Sequence, residues 1–417
     1  MHRRSWSGVS PRGEISSWPG RADQRGDDSV RDMNQTAPST APGPRSGPVG
    51  VGFIGTGMIS DTYLDNLTSF PDVKVVILGD LDERRAQAQA DKYGVPGAGS
   101  AQDVLTHPEV EIVVNLTIPA VHAEVAGQAI AHGKHVWSEK PISIDRESGL
   151  ALLAQAEAAG LLVGVAPDTV LGPGVQTARR AIARGDIGMP LSAQTVMQYA
   201  GPDIFHPNPE FLFAKGAGPL FDMGPYYFTT LIHIFGSVAT VAAVGSKGRE
   251  TRTVLVGDRL GAEFPIDVPT HVNAIAQFEG GGVSHSVFSF DSPYRKTGVV
   301  EITGTEGTMI IPDPNTFTGE VKITKTPALA NMRDDPRWEI VPTTGVLSGR
   351  GTGVLDMARS IRSGSRPLAS GDLGFHVLDA LIAIDEAVES RRMVEVASRV
   401  DVVPLVPEDW DPFAATL

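Results

Sequence analysis

From residue 49 to residue 165, short apolar runs alternate with stretches that repeat at the helical period. Val49–Ile54, Val73–Gly79, 110–116, 135–137 and 161–165 read as strands buried on both faces. Between them 59–69, Glu83–Tyr93, Ala101–Thr106, 122–132 and 145–159 carry helical spacing, and Gly160 suits the C-cap of the last. Strands alternating with helices predict a doubly wound parallel sheet. After Asp168 the pattern changes. One helix over 175–184 is followed by longer segments that alternate with period two: 192–199, Val238–Ser246, His271–Phe278, 282–290, 299–303 and 308–311. Turns such as Glu279-Gly280-Gly281 join them, and two late helices are expected over 353–363 and 373–389. The fold class is therefore α/β: an N-terminal Rossmann domain over 49–168, then an α+β domain over 169–417 with a large open, mostly antiparallel sheet.

Residues 1–48 lack either period and are rich in Pro, Gly, Ser and Arg, which reads as a disordered extension, with Met33 an alternative start. The chain of 417 residues has a formal charge of −14; the extension carries seven arginines against five acids, so the body is more acidic still. That argues against nucleic acid as a partner, because phosphate binding needs clustered positive charge. The absence of cysteine removes disulfides, thiolate nucleophiles and Cys-ligated zinc from consideration, and fits a cytoplasmic protein. No apolar run has membrane-spanning length and no secretory signal precedes the first strand, so no membrane role is expected. The histidines show no metal-ligand spacing, and no metal is expected.

The first strand runs into Gly55-Thr56-Gly57-Met58-Ile59-Ser60, a G-x-G-x-x-small turn. The first glycine permits the tight turn, the second admits a pyrophosphate to the backbone, and Ser60 is small enough for helix–strand packing. Asp80, at the end of the second strand, is placed to bind the adenosine ribose hydroxyls. An acid there followed by Leu81 rather than Arg favours NAD over NADP.

The fourth long strand leads to Glu139-Lys140-Pro141, placing Lys140 where doubly wound sheets bind ligands. An ammonium there suits proton transfer at a reacting oxygen. Gly133-Lys134-His135-Val136 leading to Glu139-Lys140-Pro141, with the fingerprint at 55–60, Asp80 and Asn115-Leu116-Thr117-Ile118-Pro119 with His122, resembles the glucose–fructose oxidoreductase/inositol dehydrogenase/MocA family. The resemblance implies that Lys140 is catalytic at the nicotinamide, that Thr117, Pro119 and His122 lie along the cofactor cleft, and that Glu139 lies near the nicotinamide ribose. The family's Asp-x-Gly-x-His motif corresponds to Asp222-Met223-Gly224-Pro225-Tyr226, so tyrosine stands in the histidine slot. A phenol ordinarily titrates near 10 and needs a neighbouring cation to act as a base. Two readings stay open: a Lys140/Tyr226 relay with Asp222 orienting substrate or lysine, or Lys140 acting alone while Tyr226 binds substrate. Asp222 also suits an N-cap of the following helix. Asp168, His206 and Lys215 are further candidates for substrate contact.

The resemblance implies an NAD-dependent dehydrogenase or reductase acting on a secondary alcohol or ketone of a sugar, sugar derivative or cyclitol. The alternative is an NAD-dependent glycosidase that works by transient oxidation and elimination. An open sheet face ordinarily needs covering, so a homodimer or homotetramer is expected.

Overall fold

The five apolar runs of the first part, with one further short strand, form six parallel strands: β1 (Val49–Ile54), β2 (Val73–Gly79), β3 (Gly97–Gly99), β4 (Ile112–Asn115), β5 (His135–Ser138) and β6 (Val163–Val165). The structure is a computed structural model that describes residues 46–325 and 336–417; the expected extension lies, up to residue 45, outside the described residues. The strand order is β3-β2-β1-β4-β5-β6, so direction of travel reverses between β1 and β4. In such sheets the ligand crevice opens beyond the strand ends at that switch point. The crossover helices are α1 (Met58–Leu67), α2 (Glu83–Tyr93), α3 (Ala101–Thr106), α4 (His122–Ala131) and α5 (Arg146–Ala159). Their ends follow local chemistry: Asp82 accepts from Arg84 N at the start of α2, and Ser100 and Asp103 form a capping box on α3.

The second part begins with α6 (Pro173–Ala183), β7 (Pro190–Gln198), α7 (Gly218–Phe235) and β8 (Val238–Ser246). Then come the short hairpin β9 (Thr251–Thr253) and β10 (Glu263–Pro265), and β11 (His271–Phe278), β12 (Val283–Ser289), β13 (Lys296–Gly304), β14 (Gly307–Ile311), β15 (Val321–Lys325) and β16 (Glu339–Val341). The chain closes with α8 (Thr352–Ser363), α9 (Gly371–Ser390) and β17 (Val394–Glu395). Nine strands form one sheet in the order β16-β15-β14-β13-β7-β12-β11-β8-β17. Only β7–β12 pair parallel; the other pairs are antiparallel. The hairpin β9–β10 and strands β3 and β15–β17 were not expected from the pattern, because runs of two to five residues offer too little period to read.

Helix α7 lies on the inner face of this sheet. Phe228 stacks on Phe288 at 6.3 Å, and Phe235 on Phe278 at 5.2 Å. Its other side meets α9 so closely that a Cβ at Gly224 would lie 2.8 Å from Leu381. The helix starts at Gly218 after Ala217, which corrects the expectation that Asp222 is its N-cap: Asp222 sits inside the helix, on its second turn. Helix α8 returns to the first sheet. Val354, Leu355 and Met357 are buried in one core with Phe53, Val114 and Trp137. Arg359 binds Asp72, whose carboxylate also accepts from Thr416 and Leu417. The end of the chain is thus fastened to the parallel sheet.

Candidate active site

The crevice has a backbone end and a side-chain end. At the backbone end Gly55 adopts φ +100°, where a Cβ would meet the Leu116 carbonyl oxygen at 2.7 Å, so the turn needs glycine. Gly57 is different: its φ is ordinary, and a Cβ there would touch nothing within 4 Å. It would project into open space at the N-terminus of α1, which no side chain caps. Free first-turn N–H groups facing open volume suit a pyrophosphate. Met58, Leu81 and Ile118, 66%, 102% and 54% exposed, lie just past β1, β2 and β4 and offer apolar surface to flat rings. These features fit a dinucleotide.

Asp80 is nearly buried at the end of β2. Its carboxylate accepts from Thr56 N (2.7 Å), Thr56 Oγ1 (2.8 Å), Asp82 N (2.9 Å) and Arg85 Nη2 (2.5 Å). Burial alone would raise its pKa, but these donors, Arg85 foremost, hold it at about 2. Arg85 escaped the sequence reading, which looked for a cation only at position 81. Its first-turn place in α2, three residues after Asp82, was the available signal.

At the side-chain end β5 delivers Glu139 and Lys140. Lys140 Nζ lies 2.9 Å from Asp222 Oδ1 and 2.5 Å from the Asp222 carbonyl oxygen, with only 13% of its side chain exposed. Pro225 lies in the same helix and has no N–H for the Phe221 carbonyl, so the backbone hydrogen bonding of α7 is already interrupted beside this contact. Burial would lower the lysine's pKa; Asp222, Tyr226 and Glu139 outweigh it and raise it above its ordinary value. Nζ also sits 5.2 Å from the centre of the Tyr226 ring. Glu139 accepts from Tyr63 Oη (2.8 Å) and from Lys140 N (3.1 Å), which fixes the strand end that carries the lysine.

Two expected contact residues stand behind the cleft instead of facing it. His122 is 1% exposed, with Nδ1 2.6 Å from the Pro141 carbonyl and Nε2 3.0 Å from that of Thr117. Burial lowers its pKa, while the two carbonyl oxygens facing its ring nitrogens pull the other way. It braces Pro141 and Thr117. Asp168 is 0% exposed; its Oδ2 accepts from Gly351 N (2.8 Å) and Gly353 N (3.0 Å). The Rossmann-side Thr117 and Pro119 remain half-buried at the crevice, where Thr117 Oγ1 donates to Asn115 Oδ1 at 2.6 Å. His206 is half-buried, and its imidazole feels the Asp222 charge. Lys215 is exposed and acts electrostatically on Asp385 of α9. Arg350, absent from the sequence reading, reaches Tyr226: its Nη2 donates to the phenol oxygen at 3.1 Å and to Asn315 Oδ1 at 2.8 Å. It lies 124 residues from Tyr226 in sequence, and no local pattern marks it.

Residues 49–166 match the family described as "Oxidoreductase family, NAD-binding Rossmann fold", and residues 175–310 match the "GFO/IDH/MocA C-terminal domain". The chain belongs to the GFO/IDH/MocA family of oxidoreductases. It is an enzyme of the NAD-binding oxidoreductase class, as expected from Gly55, Asp80 and Lys140. Among characterised relatives, trans-1,2-dihydrobenzene-1,2-diol dehydrogenase of Bos taurus is 26% identical over 266 residues, covering 63% of this chain and 74% of that one. The scyllo-inositol 2-dehydrogenase (NAD(+)) of Bacillus subtilis is 26% identical over 261 residues, covering 62% and 72%. Levoglucosan dehydrogenase, solved in complex with NADH and L-sorbose, shares the fold with a TM-score of 0.73 at 21% identity, covering 84% of this chain and 99% of that one.

Proposed function

We propose that this enzyme transfers hydride between NAD and a secondary alcohol or ketone of a sugar, sugar derivative or cyclitol, with Lys140 as the acid/base group. The observation that carries this reading is the Lys140–Asp222 pair beside Tyr226, at the end of β5 in the crevice that begins at the glycine turn. The dehydrogenases of inositol, levoglucosan and dihydrodiols among its relatives support the substrate class.

Gly55, Gly57 and the open N-terminus of α1 would hold the pyrophosphate, Asp80 the adenosine ribose, and Glu139 and Thr117 the nicotinamide side. Bound NAD supplies the hydride acceptor or donor. The remaining work belongs to the protein. Lys140, raised above its ordinary pKa, is cationic at rest and presents N–H donors to the substrate oxygen. Asp222 holds the ammonium in place through two oxygens, the carboxylate and the carbonyl. Tyr226 stands next to it on the following turn of α7, close enough to share a substrate hydroxyl and its proton. His206 and the half-buried ring of Tyr199 border Asp222 and line the substrate side.

The test follows absorbance at 340 nm and product release together, with sugars, cyclitols and aryl glycosides. NADH formed in step with ketone supports the proposal. Aglycone release without NADH accumulation overturns it in favour of the redox-neutral glycosidase.

The outer face of the nine-stranded sheet presents Val244, Ile275 and Val283, 66%, 56% and 43% exposed, on adjacent strands β8, β11 and β12. An apolar stripe of this kind suits cover by a second copy, as a homodimer or homotetramer. Among the described residues no helix is long and apolar enough to cross a membrane.

A further inference from the structure

We infer that Arg350 is a positioning residue for Tyr226, and that Asp168 is the anchor from which it works. The inference rests on the reading of Tyr226 as part of the proton-transfer machinery.

The contact is built from five separate pieces of chain. Arg350 lies between Gly349 and Gly351, just before α8. A Cβ at Gly349 would fall 2.6 Å from the Asn66 side chain, and one at Gly351, where φ is +101°, 2.8 Å from Leu67 Cγ. The backbone on both sides of Arg350 is therefore pressed against α1. Asp168 then pins it, because one carboxylate oxygen accepts from both Gly351 N and Gly353 N. From this fixed base the guanidinium reaches across to α7. Nη2 is shared between the Tyr226 oxygen and Asn315 Oδ1, and Cζ lies 5.5 Å from the centre of the phenol ring. The hydrogen-bond partners of Nη2 are this phenol and amide, while the Glu139 and Asp168 carboxylates act on the guanidinium through space. Tyr226 is held between two cations: Lys140 is 5.2 Å from the same ring centre.

The consequence is directional. A phenol oxygen has two lone pairs and one hydrogen. Arg350 donates to one lone pair, so the Tyr226 hydrogen cannot point at Arg350 and is left for whatever occupies the cleft. When the Tyr226 O–H bond breaks, its proton forms a new O–H bond on the substrate oxygen. The electron pair stays on the phenol oxygen, opposite the guanidinium. The reverse step takes a proton from a substrate hydroxyl onto that same oxygen. Arg350 thus supplies the oriented, charged donor that a histidine in this slot would not need.

Five enzymes test this: the wild type, Arg350→Ala, Tyr226→Phe, the double variant, and Arg350→Lys as the conservative change. Arg350→Ala is expected to lower turnover by roughly 10- to 100-fold, less than the full loss of acid–base assistance because the phenol itself remains. Guanidinium chloride at tens of millimolar should restore part of it, and Arg350→Lys should retain an intermediate rate. In the Tyr226→Phe background, removing Arg350 should cost little more, and guanidinium should restore nothing. Wild-type turnover in Arg350→Ala overturns the inference. So does equal rescue with and without Tyr226, which would make Arg350 a direct substrate contact. A second measurement needs no turnover: with tyrosines labelled at Cζ, the six phenols give six carbon resonances, and Tyr226→Phe identifies one. That resonance should move in Arg350→Ala; if it stays, the inference fails. Absence of NAD-linked turnover in the wild type would instead overturn the proposed function, leaving the resonance to decide the contact.

Discussion

The two ends of the crevice are built by different means. At the turn from β1 to α1 the groups offered to a ligand are backbone, and one contiguous stretch supplies them: Gly55, Thr56, Gly57 and the first turn of α1, with Asp80 following one crossover later. The Lys140 end offers side chains, and four distant segments supply them: β5, α7, the loop after β14 and the residues before α8. A backbone site tolerates few side chains. A side-chain site tolerates exchange, provided the replacement finds new partners. On the proposed reading tyrosine at 226 is such an exchange, and Arg350 hydrogen-bonds to it. The difference predicts that substitutions at the first end change binding, whereas those at the second change rate.

Replacing Lys140 with Ala is the largest test of that contrast. Turnover should fall by about 10²- to 10⁴-fold, while NADH affinity, read by fluorescence, changes little. A parallel loss of NADH binding would erase the distinction between the ends. Next in size is Gly57→Ala. Its Cβ meets no protein atom, so the thermal midpoint should hold, yet NADH binding should weaken by about tenfold as the methyl enters the pyrophosphate space. Gly55→Ala differs, because the added methyl meets the Leu116 carbonyl; that variant should lose thermal stability as well as affinity. Equal behaviour of the two glycine variants would show that the open space at Gly57 is not the ligand's.

Arg85→Ala probes the cofactor choice at the backbone end. Arg85 occupies Asp80 from an exposed position, with 53% of its side chain accessible. NADH affinity should change by no more than about threefold, since the ribose replaces the guanidinium on the same carboxylate; NADPH affinity should fall further. A drop for NADH alone would give Arg85 another role.

The smallest effect concerns the anchor behind the side-chain end. Burial raises the Asp168 carboxyl from its ordinary 3.8 to about 6, against the opposing pull of Arg350 and the Gly351 and Gly353 amides. The native chain therefore holds this proton more tightly than the unfolded chain. Its contribution to stability is present below about pH 4 and is lost as pH rises through about 6. Asp168→Asn removes this titration. The melting temperature of the wild type relative to the variant should decline by a few degrees from pH 4 to pH 7. A difference independent of pH would mean that Asp168 does not titrate in that window.

Legibility along the sequence follows the same division. The parallel sheet was readable because β1, β2, β4 and β5 are apolar runs of four to seven residues between helices, one of them closed by Gly160. Strands β15 and β16 were not, because short half-exposed runs resemble loops until a neighbour pairs them. The glycine turn, Asp80 and Lys140 were readable as motifs. His122 and Asp168 were recognised as important residue types, but the sequence could not say that both are buried on backbone partners. Arg85 lay five residues from Asp80 and was overlooked; Arg350 had no local signature at all.

Local chemistry therefore determined what one element decides alone: the alternation of strands and helices, the positive φ at Gly55, the acid ending β2 and the lysine ending β5. Tertiary structure decided which groups share charge and protons. The Lys140–Asp222 contact spans 82 residues and the Arg350–Tyr226 contact 124. Such contacts depend on how α7 and α8 pack against the parallel sheet, because an ammonium or a phenol acquires its chemistry from neighbours that only folding brings within a few ångströms.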